Sequence, residues 1–596
     1  MITLKLFNGV LERKHNKLNG SYISQEEGLI IEPGADWAKD KIIEYYHQER
    51  LSGNDLNKTF HKSWKKIKES TRYELLIHQI LHYLSTYGTT FKGEVYIPDE
   101  VVELPNIKLK FKVIKSFTKE ELTEKCLNMF RSGIALKQET VNELITTLVD
   151  TLDYTFTGKE GIRNKEVIIK LADDYNIFPN NPTEFFRYII YRTTGQTLLI
   201  KSPEVIKAIK DSSYNPQTKF KSFSLKKLAG IFNRFKPLFL AYKGRCPKTI
   251  NKISKLSKKY HKPMLVNPLN EVTSVFLEEK DLPVLENAAI YQLLKALAVC
   301  KRIAGSDENS NFVYKIRNGK SFAKENKVKK LNKQVAKANF DFLHLFLIKK
   351  YNLTGKTFYF PKGIKYAVPT TEKMYVGNIP IGTAFTGKSL AVGMYWENKW
   401  GARDLDLSGI TGTGEKVGWD ASYAHEKNGL LYSGDMTNAT NGAVEYLHAN
   451  SKLEDEVILK INVYFGSKDA GYKIVLGKGS KLSRNYMMNP NKLFAEIKTE
   501  CTQKQMILGL FMQHKNKKQK FVLLNFGAGN ARVSGNSVIS TIARKALTEE
   551  WRNPLLFKDI VKILGGEIVN TPEEAEYDFS MDVLEKDSFI KIFNIV

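Results

Sequence analysis

Residues 382–396 read Gly382-Thr-Ala-Phe-Thr-Gly387-Lys388-Ser389-Leu-Ala-Val-Gly393-Met-Tyr395-Trp396, and the fold of the C-terminal half turns on whether a helix or a strand begins at Ser389. The first eight residues satisfy the phosphate-binding-loop expression in full. In that chemistry glycine N–H groups cradle phosphates, the lysine pairs with them and the serine holds magnesium. The loop must then join a buried strand to a helix. Ser389–Trp396 instead carries glycine, tyrosine and tryptophan where helix formers belong, and no apolar strand ending in aspartate stands nearby as a second magnesium site. The stretch reads as a strand entered through a hairpin connection, and an NTPase using Lys388 is the weaker alternative.

Outward from this point, strand-length runs bounded by glycine and asparagine dominate everything after Gly355: Thr357–Phe360, Lys416–Trp419, Leu430–Ser433, Val457–Tyr464, Lys473–Leu476, Met506–Phe511 and Lys520–Asn525. This spacing predicts an antiparallel β-sandwich. Helices over Ser537–Glu549, Leu555–Leu564 and Met581–Ile592 are expected to close the chain. Phe526-Gly527-Ala-Gly529-Asn530 follows an apolar strand as a dinucleotide site would, but Arg532 stands where the third glycine belongs.

Upstream the period changes. Residues 1–35 read as short strands around an Asn-Gly turn at 19–20, with the opening Ile2–Val10 alternating like a strand. Apolar residues at three- and four-residue spacing then predict helices over Trp37–Arg50, Leu56–Glu69, Tyr73–Tyr87, Thr118–Phe130, Lys137–Asp150, Lys165–Tyr175, Thr183–Thr194, Pro203–Asp211, Ser224–Lys243, Pro247–Tyr260, Leu282–Ile303 and Phe322–Tyr351. Val95–Phe111 is an extended, proline-punctuated interruption, and Phe312–Arg317 a short strand. Asn181-Pro182-Thr183-Glu184 and Ser202-Pro203-Glu204 place a capping side chain, an early proline and an acid where free backbone N–H groups need them. The expected fold class is α+β and multidomain. An N-terminal α+β region covers 1–115, and a helical array of irregular, HEAT-like repeats covers 116–354. A β-sandwich with C-terminal helices covers 355–596.

The net charge of +27 is unevenly placed. Residues 1–200 carry a net +1, residues 201–350 a net +21 and residues 351–596 a net +5. Residues 212–270 hold 14 Lys and Arg and no acid. Concentrating one sign opposes compaction unless a partner supplies the other, and a phosphate backbone is the usual one. Candidate nucleic-acid contacts are Lys226, Lys227, Arg234, Lys243, Arg245, Lys248, Lys252, Lys255, Lys258, Lys259 and Lys262, with Lys327, Lys329 and Lys330 further on. Phe239, Tyr242 and Tyr260 interleave with these cations and suit either base stacking or a core. A lysine-rich solvated face is the bland alternative.

No apolar run is long enough to span a bilayer, and the N-terminal residues lack a signal-peptide pattern. Cys126, Cys246, Cys300 and Cys501 are scattered without a paired motif, which fits a reduced cytoplasm. His78 and His82 sit four apart, but Gln79 stands where a zinc hydrolase needs glutamate, so a packed helix is the preferred reading. No Gly-x-Ser-x-Gly elbow or Cys/His pair offers a nucleophile, and the chain reads as a non-enzyme. Arg403-Asp404-Leu405-Asp406-Leu407-Ser408 is different. On a strand Asp404 and Asp406 project to the same side, with Asp435 and Glu445 as further oxygen donors, a set that suits calcium. Two strand-edge aspartates facing solvent fit the same spacing.

At these residues the sequence resembles the tellurium-resistance (TerD-type) calcium-binding domain. The resemblance rests on Val392-Gly393-Met-Tyr395-Trp396, Asp404-Leu-Asp406-Leu-Ser408, Val417-Gly-Trp419-Asp420, Tyr432-Ser-Gly434-Asp435 and Glu445, over roughly residues 375–570. It implies a β-sandwich with Asp404, Asp406 and Asp435 as calcium ligands. Met436 stands where that pattern usually has asparagine, and the denser acidic clusters of stronger binders are missing. The helical part resembles that found ahead of such domains in large bacterial and phage proteins, through Leu56-Asn-Lys-Thr-Phe60-His61-Lys-Ser-Trp64, His78-Gln79-Ile-Leu-His82-Tyr-Leu and Val313-Tyr-Lys-Ile-Arg317-Asn-Gly319-Lys320. The combined expectation is a cytoplasmic nucleic-acid-binding protein with no membrane contact and a partner- or calcium-binding domain. The alternative is a structural protein of a phage or stress complex, with protein assembly partners.

Overall fold

The computed structural model describes residues 2–13, 20–24, 27–59, 71, 73, 77, 111–197, 199–262, 268–305, 312–317, 320–325, 332–425, 429–449, 453, 456–478, 488, 493–513, 518–530, 551 and 554–594. Most helices lie before residue 351 and most strands after it, so the chain is mixed α+β. No helix among the described residues is long and apolar enough to cross a membrane.

Two antiparallel sheets dominate the second half. In one, the strands run in the order Lys416–Val417, Ala402–Ile410, Val457–Gly466, Gln505–Gln513, Gln519–Gly529, Ala384–Gly387, Ile364–Lys365. In the other the order is Ala424–His425, Leu430–Tyr432, Ala443–Ala449, Leu390–Trp396, Gly471–Lys478, Leu493–Glu500. Alternate residues of both sheets, such as Leu405, Leu407 and Ile461 from the first and Val392, Leu447 and Leu476 from the second, bury into one core. Gly393 sits centrally in the second sheet because a Cβ there would meet the Tyr446 ring at 2.4 Å. The core continues into the helical half through Leu127, Leu294 and Leu347, and into the C-terminal Phe579 and Phe589.

Gly382–Ser389 joins the two sheets. Ala384–Gly387 pairs with Gln519–Gly529 in the first, whereas Leu390–Trp396 pairs with neighbours in the second. The expected hairpin is therefore a crossing between sheets, and the segment after Ser389 is a strand. Phe526–Gly529 lies within a strand and forms no phosphate turn.

The helical half contains a second core of its own. Helices Pro182–Thr194, Pro203–Asp211, Leu225–Ile231, Lys236–Ala241 and Pro247–Tyr260 bury Phe186, Phe232, Phe239, Tyr242, Ile250 and Ile253 together. Phe186 stacks on Phe239 with ring centroids 3.8 Å apart. The Asn181 and Ser202 side chains accept the N–H groups of their first turns, as their sequences predict.

Several helical expectations are corrected. Ile2–Phe7 is a helix, because Leu4, Leu6 and Phe7 also satisfy helical spacing and Lys5 then pairs with Glu139 and Glu143. The Ser224–Lys243 run breaks into three pieces, since Pro237 can only begin a new helix. Leu282–Ile303 is interrupted where Asn287 Nδ2 donates to the Pro283 carbonyl and ends the first helix at Glu286. The helix expected from Phe322 starts at Lys333. Lys320–Glu325 is instead a strand pairing antiparallel with Phe312–Arg317, with Arg317 registered opposite Lys320. Met581–Ile592 forms only short 3-10 turns at Met581–Val583 and Lys591–Asn594, because Glu585 and Asp587 are drawn inward to Lys125. The helix over Ser537–Glu549, most of Leu56–Glu69, Tyr73–Tyr87 and Val95–Phe111, and His78 and His82, lie outside the described residues.

Candidate metal centre

The strand Ala402–Ile410 carries the candidate ligands. Leu405 and Leu407 face the shared core, and the residues alternating with them are Asp404, Asp406 and Ser408. All three are buried, Asp404 at 3% exposure, Asp406 at 1% and Ser408 at 0%. The strand-edge reading, with both aspartates in solvent, does not hold. The register with Val457–Gly466 shifts on either side of Asp404, which stays paired with Phe465.

Asp435 arrives from the segment after Leu430–Tyr432. Ser433 is pinned to the neighbouring strand at both ends, its N–H donating to the Tyr446 carbonyl at 3.0 Å and its hydroxyl accepting the Tyr446 N–H at 2.9 Å. Gly434 then turns with φ of +110°, a conformation open mainly to glycine. Met436 is anchored next, and Asp435 is held between two fixed points. One oxygen each of Asp404, Asp406 and Asp435 lies within 4.8 Å of the others, a grouping that could hold a metal ion.

Glu445 does not join that trio. Its Oε2 accepts the Leu407 N–H at 2.7 Å and its Oε1 accepts the Met436 N–H at 2.9 Å. It is a positioning residue that ties the strand bearing Asp404 and Asp406 to the loop bearing Asp435. The expectation of four converging carboxylates becomes three carboxylates and a clamp.

The electrostatics are unfavourable without a cation. Burial raises the Asp404 carboxyl to about 7, opposed by nearby Arg403. Asp406 is pushed well above the carboxylate range by burial and then by the charges of Asp404, Asp435, Glu445 and Asp420. Glu445 is raised by burial and by Asp435, against the two backbone N–H groups it accepts. Among the described residues, both Asp406 oxygens, Asp404 Oδ1 and the Ser408 hydroxyl are buried with no hydrogen-bond partner. The nearby buried Lys416 pairs with Asp420 at 2.5 Å instead.

Two site neighbours lie outside the ligand set expected from sequence. Ser408 continues the alternate-residue pattern of Asp404 and Asp406, so the Asp-x-Asp-x-Ser spacing was its signal. Asn462, fully buried, stands directly across from Asp406 on the adjacent strand, and only strand register places it there. Gly418 closes over Ser408, where a Cβ would come within 2.9 Å of the serine Cβ.

The basic helices form a separate surface. Lys226, Lys227, Lys243, Lys248, Lys252, Lys255, Lys258, Lys259 and Lys262 are all exposed. Arg245 is engaged, its guanidinium donating to the Ile209 and Lys210 carbonyls at 2.6 Å each, which caps the helix Pro203–Asp211. Arg234 is half-buried in the turn Asn233–Phe235. Phe239 and Tyr242 are core residues, the Tyr242 hydroxyl lying 2.7 Å from that of Thr193. Tyr260 remains half-exposed. Lys327, Lys329 and Lys330 lie outside the described residues. All four cysteines are buried free thiols.

No family model matches the chain, and no curated protein matches it. Two solved chains match. One is the crystal structure of an unknown-function protein, SAV2460, at 11% identity, spanning 28% of this chain and 98% of that one with a TM-score of 0.19. An overlay that shallow carries no argument about fold or function.

Proposed function

We propose that this is a non-enzymatic binding protein whose strand-rich half, a TerD-type sandwich, takes calcium at Asp404, Asp406 and Asp435. The observation that carries the reading is Asp406, which has both carboxylate oxygens buried and unbonded beside two further buried aspartates. Keeping such groups ionised without a cation costs on the order of several kcal/mol apiece, so they take up protons, which a bound cation would replace. The donors are all oxygens, with no thiolate or imidazole among them, which selects a hard cation. Burial favours calcium over magnesium, because magnesium dehydrates reluctantly and keeps several waters. Isothermal titration of the chelator-treated full chain tests this. Heat and a defined stoichiometry with calcium, lost in Asp406→Asn, are expected, and no calcium-dependent heat would end the reading.

A second reading is favoured by the helical half. Residues 217–262, which we read as part of a HEAT-like array, expose eleven lysines on a stretch that holds no acid between residues 212 and 270. That asymmetry suits a phosphate backbone, and we propose nucleic acid as the partner of this surface, with assembly onto an acidic protein as the alternative. Nucleic acid that co-purifies at low salt and leaves as salt rises supports it. A clean protein that binds neither added RNA nor DNA would shift the assignment to assembly.

A further inference from the structure

Lys248, Lys252, Lys255 and Lys259 recur at spacings of four, three and four residues along the helix Pro247–Tyr260, and all four are exposed. At 1.5 Å rise per residue they form one stripe of cations about 5–6 Å apart along a helix face. The opposite face, with Ile250 and Ile253, is sealed into the helical core, so the stripe faces outward. It ends at Tyr260. The Lys226 and Lys259 ammonium groups each lie 5.8 Å from the centre of that ring, one from each side of the contact between helices Leu225–Ile231 and Pro247–Tyr260. Phe239 and Tyr242, the other aromatics interleaved with these cations, are fully buried and cannot reach a ligand.

An aromatic ring flanked by cations at the end of a cationic stripe matches an unpaired strand. A duplex keeps its base faces inside the stack and shows a protein only groove edges and phosphates. A single strand offers both a phosphate track and a free base face, and stacking on an aromatic ring tolerates any base. Resting on the nucleic-acid reading of the basic surface, we infer that this surface is a site for single-stranded nucleic acid, with phosphates along the lysine stripe and a base stacked on Tyr260.

The experiment is fluorescence anisotropy of the full chain with a labelled oligothymidylate of about 12 nucleotides, a length within the usual site size, and with a duplex of equal length. Wild type is expected to prefer the single strand. Tyr260→Leu keeps an apolar contact with the core but offers no ring, and should weaken single-strand binding about tenfold while leaving duplex binding unchanged. Tyr260→Phe should bind as wild type, and equal melting temperatures for all three proteins show that the fold is retained. Lys252→Glu with Lys255→Glu should weaken both probes and lower the salt slope by about 2. If Tyr260→Leu weakens both probes equally, or neither, the stacking inference is overturned while the charge reading stands. If wild type binds neither probe, or binds polyglutamate instead, the nucleic-acid reading falls and this inference with it.

Discussion

The Glu445 carboxylate accepts the backbone N–H of Leu407 at 2.7 Å, joining a strand of one sheet to a strand of the other. Its second oxygen accepts the Met436 N–H, so one buried side chain sets the spacing between the Asp404/Asp406 strand and the Asp435 loop. Glu445→Gln presents an amide N–H to one of these donors. The expected result is a loss of about 1–3 kcal/mol in stability, from one unpaired buried group, together with weaker calcium binding at unchanged stoichiometry. Denaturant unfolding and calorimetry measure the two effects, and an unchanged unfolding midpoint would remove the clamp role.

Calcium should stabilise the fold by mass action. At a hundredfold excess over its Kd, a ligand bound only by the folded chain adds about 2.7 kcal/mol. Thermal melts with chelator and with calcium should therefore separate for the natural chain. In Asp406→Asn the two curves should coincide, and the metal-free variant should melt higher than the metal-free natural chain, because the amide removes a carboxyl that the fold must hold protonated while the unfolded chain ionises it.

The metal-free chain should also lose stability as pH rises. Burial raises Asp404 from 3.8 to about 7, so the folded state holds its proton through a range in which the unfolded state has released it. The Asp404 contribution to stability therefore declines from about pH 4 to about pH 7 and is level above that. Melting the chelated protein at about pH 5 and about pH 8, beside Asp404→Asn, isolates the contribution. The variant should show the smaller decline, and an equal decline in both would refute the assignment.

A second buried charge cluster clasps the ends of the fold. Lys125, on helix Lys119–Arg131, lies 2.8 Å from Asp587 and 3.3 Å from Glu585. Burial pulls its ammonium down, and the two carboxylates more than reverse that, leaving it above its ordinary range. Lys125→Met removes the 2.8 Å partner of Asp587 and leaves Glu585 with Lys591 at 3.8 Å, and should cost about 3 kcal/mol. Adding Asp587→Asn should restore part of the loss, and a double variant no more stable than the single would show that the pair is not the cause.

Asp404 and Asp406 were legible because a period of two places alternate residues on one face whatever the rest of the chain does, and the same rule reaches Ser408. Asp435 was legible as a glycine-turn acid, but its approach to the other two depends on the Ser433–Tyr446 and Met436–Glu445 bonds. Glu445 reads as a ligand in the sequence and as a clamp in the structure, since nothing local reveals which N–H groups its oxygens meet. The lysine stripe follows from helical spacing alone. Which aromatic beside it stays accessible does not, because Phe239, Tyr242 and Tyr260 share the same local pattern and only packing on Phe186 and Thr193 removes the first two.

By itself the sequence determined the division into a helix-rich and a strand-rich half, the caps of the helices at Asn181 and Ser202, the placing of most of the positive charge and the pairing of Asp404 with Asp406. These are consequences of local period, backbone geometry and composition. Tertiary structure alone decided that Gly387–Ser389 crosses between sheets, that Asn462 faces Asp406, that Arg245 caps a distant helix and that Lys125 holds the C-terminal acids. Each of these depends on strand register or on packing between residues far apart in the chain, and the energies that select among such arrangements come from burial and hydrogen bonds no local segment can make.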